Sequence, residues 1–133
     1  MPMDAKAVSG FLDEYVEVFA ACVRGEQEIA KLLAFYGVPL LITSDDGVIA
    51  LTTDNEVATV IQGQVDGLRA LRYRGTRVLQ SEVIGLNATS AIYRASLSRY
   101  DDRSDEIDSP TITYVVTSTD DDLRISLLAA HGG

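Results

Sequence analysis

The chain has one cysteine, one histidine and no tryptophan among its 133 residues. A lone Cys22 excludes an internal disulfide. Zinc sites are built from several nitrogen and sulphur ligands, and Cys22 and His131 alone do not supply them; no metal or other cofactor is expected. There is no nucleophile elbow, Walker loop, dinucleotide fingerprint or HExxH pattern. No apolar run approaches the roughly 20 residues of a membrane span. The run Gly37 to Ile42 is strand-sized. The first residues lack the basic-then-apolar order of a secretion signal, so a cytoplasmic protein is expected, in which the Asn87-Ala88-Thr89 sequon carries no meaning. Positive charge is also scarce. Eleven basic side chains face 20 acidic ones, for a formal charge of −9, which opposes approach to phosphate backbones and anionic lipid. Neither nucleic acid nor a membrane is an expected partner.

What is present reads as a single domain over residues 1–133, long enough to bury a core without staples. Ser9 is positioned to cap a helix whose apolar residues Leu12, Tyr15, Val16, Phe19, Cys22 and Val23 repeat at helical spacing. Gly25 ends it. A second helix, with Glu26 and Glu28 near its start, carries Ile29, Leu32, Leu33 and Tyr36 and stops at Gly37, with Pro39 beyond. Leu40 to Thr43 and Val48 to Thr52 flank the turn Ser44-Asp45-Asp46-Gly47, the pattern of a hairpin. Thr53-Asp54-Asn55-Glu56 is a capping box, opening a helix with Val57, Val60, Ile61, Gln64, Val65, Leu68 and Leu71 along one face. Gly63 and Gly67, one turn apart on it, call for a compensating feature such as a close backbone or room for a ligand.

From Thr76 the apolar period changes to two. Strands are expected over 77–86, 90–100, 110–117 and 123–130. In the second, Ala91, Tyr93, Ala95 and Leu97 share a face opposite Ile92, Arg94, Ser96, Ser98 and Tyr100. In the last, Leu123, Ile125, Leu127, Ala129 and His131 share a face. The run from Arg77 mixes apolar and polar residues on both parities, which suits a bulge. Asp101, Asp102, Asp105, Glu106 and Asp108 fail the EF-hand spacing and read as a solvated hairpin loop. Nine of the 11 basic residues are arginine; Arg69, Arg72, Arg74 and Arg77 crowd one helix-to-strand connection, which suits an anion site or, the preferred reading, pairing with surplus carboxylates. Cys22, in helical register with the apolar stripe, reads as a small core residue.

This order of elements resembles the nuclear transport factor 2-like superfamily, especially its SnoaL-like and ketosteroid-isomerase-like branch. The local points of likeness are Tyr15 and Phe19, Gly25-Glu26 at the helical corner, Tyr36-Gly37-Val38-Pro39 entering the first strand, and Leu123-Arg124-Ile125 running to His131. The resemblance implies an α+β, cystatin-like cone: three helices from the N-terminal half packed in the concave face of a strongly curved, mostly antiparallel sheet, with an apolar pocket at its open end. Fold alone does not decide function.

Isomerases of that superfamily pair an aspartate base with hydroxyl and acid donors to an enolate oxygen, and ketosteroid isomerase is a standard case of such tuned acidity. Matching by elements puts the base near Thr43 or Ser44, neither of which can serve; Asp45, in the turn, is the nearest candidate. Tyr15 is the candidate oxyanion donor. His131, the only imidazole, is the remaining candidate base. The leading expectation is a pocket for a small apolar ligand near Tyr15, Phe19, Tyr36, Tyr93 and His131, without a complete catalytic set. One alternative is an acid–base isomerase, cyclase or dehydratase using His131 or Asp45 with Tyr15. The other is a non-catalytic homodimeric interaction domain joined through the outer sheet face, where Ile92, Arg94 and Tyr100 lie.

Overall fold

The computed structural model describes residues 3–120 and 122–132. Helix α1 spans Ala5–Val23. Its cap is Asp4, whose carboxylate accepts from Lys6 N at 3.1 Å, and not Ser9, which lies a turn inside the helix. The earlier start adds Val8 to the buried stripe with Leu12, Tyr15, Cys22 and Val23. Gly25, at φ +78°, closes the helix, with Gly25 N and Glu26 N donating to Cys22 O and Ala21 O. This is the paired bonding that a left-handed residue after a helix allows.

Helix α2 is shorter than its apolar pattern predicts, Ile29–Leu33. Gly37 is not its stop: strand β1, Tyr36–Ser44, has already begun, and Phe35 N closes the turn on Leu32 O. The Val38–Pro39 bond is cis. β1 and β2, Gly47–Leu51, form the expected hairpin, with Ser44 opposite Gly47. Helix α3, Asp54–Ala70, opens on the expected cap. Thr53 Oγ1 accepts from Glu56 N at 3.1 Å, and the Glu56 carboxylate reaches back to Thr52 N at 2.9 Å.

The remaining chain is β3 (Tyr73–Asn87), β4 (Ser90–Asp101), β5 (Glu106–Asp108), β6 (Thr111–Thr119) and β7 (Asp122–Ala130). The described strands make one sheet in the order β2-β1-β7-β6-β4-β3, with β5 attached to β4. Every pairing is antiparallel except β1 with β7. The architecture is therefore α+β, three helices on a mostly antiparallel sheet. The core lies between them, where Leu12, Leu32, Ile61 and Val65 meet Leu40, Ala91, Val116 and Ile125. Among the described residues no helix is long and apolar enough to cross a membrane.

Three local departures matter for the site. The bulge expected in β3 is there, where the register slips between Val78 and Gln80. A second bulge falls in β7, where consecutive residues Val115 and Val116 face Leu127 and Ile125, leaving Ser126 extra. Alternation therefore fails in this strand: Ile125 faces the helices, but beyond the bulge Leu128 and Ala130 do so while Leu127, Ala129 and His131 turn away. The acidic segment is also more than a solvated loop. Glu106 and Asp108 enter the sheet as β5, holding Ser98 Oγ at 2.7 Å and the Arg99 guanidinium.

Two of the arginines near the α3–β3 connection are engaged by partners other than carboxylates. Arg69 donates to Cys22 O and Val23 O at 2.8 and 2.9 Å, tying α3 to the carbonyl end of α1. Arg77 stacks 4.4 Å from the Tyr100 ring centroid. That ring lies so close over Gly75 that an added Cβ would stand 2.5 Å from its hydroxyl, so only glycine fits beneath it. Tyr100 is thus folded against β3 and not presented from the face.

Candidate functional site

Between the helices and the open end of the sheet lies a cavity of about 550 Å³, within the size range of small-molecule sites. α1 contributes Tyr15, Val16 and Phe19, and α3 contributes Gln64, Gly67, Leu68 and Leu71. The sheet side is Ile42 to Ser44 on β1, Thr76, Leu97 and Arg99 on β3 and β4, Ile112 and Tyr114 on β6, and Leu128 and Ala130 on β7. Gly67 accounts for part of the space. A Cβ built there would meet nothing within 4 Å, so the position is an open stretch of wall and not a backbone crossing.

One side of the cavity is a tyrosine cluster. The Tyr15 and Tyr36 hydroxyls lie 2.6 Å apart and both residues are buried. Tyr15 also packs edge-on against Tyr36, Phe35 and Tyr114. Burial raises the ionisation of Tyr15, Tyr36 and Tyr114 well beyond the ordinary phenol range. These groups stay neutral, able to donate or accept a hydrogen bond but not to act as phenolate bases. The Tyr114 hydroxyl has no hydrogen-bond partner among the described residues, yet it is not sealed off, since no such buried side-chain atom is left unsatisfied; it opens on the cavity.

Among the described residues, Arg99 is the only formally charged side chain in the lining. Its Nε donates to Asp108 Oδ1 at 2.6 Å and its Nη2 to Asp108 Oδ2. The side chain is 25% exposed against 42% for Asp108, so the cation lies deeper than its partner. The Asp108 bonds outweigh burial and keep the guanidinium protonated.

The sequence-predicted residues separate here. Tyr15 and Phe19 line the cavity. Tyr36 is absent from the lining and stands against Tyr15, ring edge-on and hydroxyl to hydroxyl. Tyr93 is buried in the core, in contact with Tyr114, and is absent from the lining. His131 is exposed, its Nε2 2.6 Å from Thr113 Oγ1. Thr113 alternates with the cavity-lining Ile112 and Tyr114, so His131 is on the sheet's other face, turned there by the β7 bulge. Asp45 is exposed in the hairpin turn, against Gly132. The structure therefore does not bring His131, Asp45 and Tyr15 together around one point. The cavity also takes in Arg99 and Tyr114, which are not among the expected pocket residues. Arg99 continues the parity of Tyr93, Ala95 and Leu97, and a charged residue on an apolar face was the available signal.

A curved sheet roofed by three helices around one end pocket defines the NTF2-like, cystatin-like class of proteins. Residues 5–133 match the family of NTF2-like proteins designated DUF6841, and the chain belongs to that family. No protein of curated function matches it in sequence. Among solved structures it is similar to a Nostoc punctiforme protein of unknown function with a cystatin-like fold: TM-score 0.76, 14% identity, 98% of this chain and 94% of that one. It is also similar to the yeast UBP3-associated protein BRE5, at TM-score 0.71 and 12% identity over 92% and 91% of the two chains. A third likeness is to a candidate scytalone dehydratase from Novosphingobium aromaticivorans, at TM-score 0.67 and 11% identity over 94% and 80%. At such identities these likenesses establish the fold alone.

Proposed function

We propose that the protein binds a small, mainly apolar molecule in this cavity without converting it. The observation that carries the reading is the lining itself: mainly aromatic and aliphatic walls, with no carboxylate or imidazole among the described residues that form them. An isomerase, cyclase or dehydratase would need a base within hydrogen-bond reach of the bound molecule. Asp45 and His131, the candidates, stand outside the cavity. Native mass spectrometry of freshly purified protein tests the proposal. The expected result is a co-purifying small molecule that is lost in Gly67→Phe, whose ring would occupy the cavity; a ligand retained in that variant would place binding elsewhere and overturn the reading.

A second reading, not exclusive of the first, is a homodimer through the outer sheet face. It is favoured by an apolar band running across the strands. Ala50 pairs with Leu41, Leu41 with Leu127, Leu127 with Val115, Val115 with Ile92, and Ile92 with Ile84. Leu41 and Ile84 are 38% and 48% exposed. A continuous apolar strip of this kind suits a self-complementary interface. Sedimentation should give a dimer at micromolar concentration that Leu127→Asp dissociates; a monomeric native protein would remove this reading.

A further inference from the structure

Resting on the binding reading above, we propose that the cavity's ligand carries a carboxylate, received by the free end of the Arg99 guanidinium and the Tyr114 hydroxyl. A guanidinium has five N–H donors in a planar fork. Two go to Asp108, one from Nε and one from Nη2, and five minus two leaves three. Among the described residues, Nη1 donates to no protein atom. The bidentate grip of Asp108 occupies one edge of the fork and fixes its plane, so the opposite edge, made by Nη1 and the second Nη2 hydrogen, has a defined direction. That edge has the spacing to take a second carboxylate with two parallel bonds.

The setting makes this more than an unused donor. Arg99 lines the cavity alongside Leu97, Ile112 and Tyr114. In a wholly apolar ligand pocket a cation with unfilled donors is a cost, because ligand entry would strip its water without replacing those bonds. An amine would be repelled. An acid with an apolar tail fits both parts of the site, its head on Arg99 and Tyr114 and its tail along Phe19, Leu68 and Leu71. The bland account, in which Arg99 serves only to anchor β5 to β4, explains the Asp108 edge but gives the other edge no role.

Isothermal titration with octanoate, octanol and octylamine at one ionic strength tests the proposal. Native protein is expected to bind octanoate about tenfold or more tightly than octanol, and octylamine no more tightly than octanol. In Arg99→Gln, octanoate should lose its advantage over octanol. Because Arg99→Gln also breaks the pair with Asp108, the double variant Arg99→Gln with Asp108→Asn is made beside it, keeping a neutral hydrogen-bonded pair between β4 and β5. Equal binding of octanoate and octanol by native protein, no octanoate binding, or an octanoate preference that survives in either folded variant would overturn the carboxylate assignment. Octanol binding that Gly67→Phe abolishes would leave the cavity reading standing in that event; octanol binding indifferent to Gly67→Phe would remove both.

Discussion

The two faces of the sheet are made by the same strands yet obey different rules. On the concave side, Tyr15, Tyr36 and Tyr114 form a buried phenol cluster beside a cavity. On the convex side, Leu41, Leu127, Val115, Ile92 and Ile84 make an apolar band across the strands. The concave face spends its apolar residues on enclosing space under the helices, and the convex face keeps its own half-exposed. Stability should therefore be concentrated on the first, and association on the second.

The largest effect expected from this contrast is alkaline. Tyr15, Tyr36 and Tyr114 ionise at higher pH in the folded protein than in the unfolded chain, where a phenol titrates near 10. Below about pH 10 both the folded and the unfolded chain keep these protons and the contribution is fully present. Above it the unfolded chain loses protons that the folded one keeps, so stability falls as pH rises towards the folded values. Three such groups give a slope of about 4 kcal/mol per pH unit. Urea unfolding between neutral and strongly alkaline pH measures it, and Tyr36→Phe should reduce the slope by about a third. An unchanged stability above pH 10 would mean that the cluster is open to water.

Next in size is the contrast between two neighbours on β7. Ile125→Ala, in the core, should cost about 2–5 kcal/mol. Leu127→Ala, two residues on but across the bulge, should cost no more than about 1 kcal/mol when measured on monomer. Equal losses in denaturant unfolding would show that the two side chains share a face after all. The smallest effect concerns the helices that make the concave side concave. Thr53→Ala removes the α3 cap and should cost about 1 kcal/mol, whereas Ser9→Ala, inside α1, should shift thermal unfolding little and towards greater stability.

These same contrasts explain what was legible in the residues. The capping box at Thr53 and Glu56, the turn before Gly47 and the inward set Ala91, Tyr93, Ala95 and Leu97 rest on local chemistry, and the structure has them as read. The α1 start was misplaced because two good capping residues, Asp4 and Ser9, compete within one turn and a half. The length of α2 was misread because Tyr36 and Gly37 satisfy a helical pattern as well as a strand one, and only pairing of β1 with β7 decides between them. The facing of His131 was misread because one extra residue, Ser126, inverts everything after it and leaves no mark in composition. Arg99 was passed over as a site residue because its partner, Asp108, lies in an acidic segment whose strand character comes from pairing with β4 and not from its own sequence.

The β7 bulge also has an evolutionary side. Substitution at His131 changes only the chemistry of the outer surface, however reactive the replacement. Loss of the single residue Ser126 would remove the bulge yet leave Leu127 opposite Val115 and Leu128 opposite Tyr114, so position 131 would stay on the outer face. An imidazole at the pocket would therefore have to come from substitution at an inward-facing position of this strand, such as Ala130, and not from removal of the bulged residue.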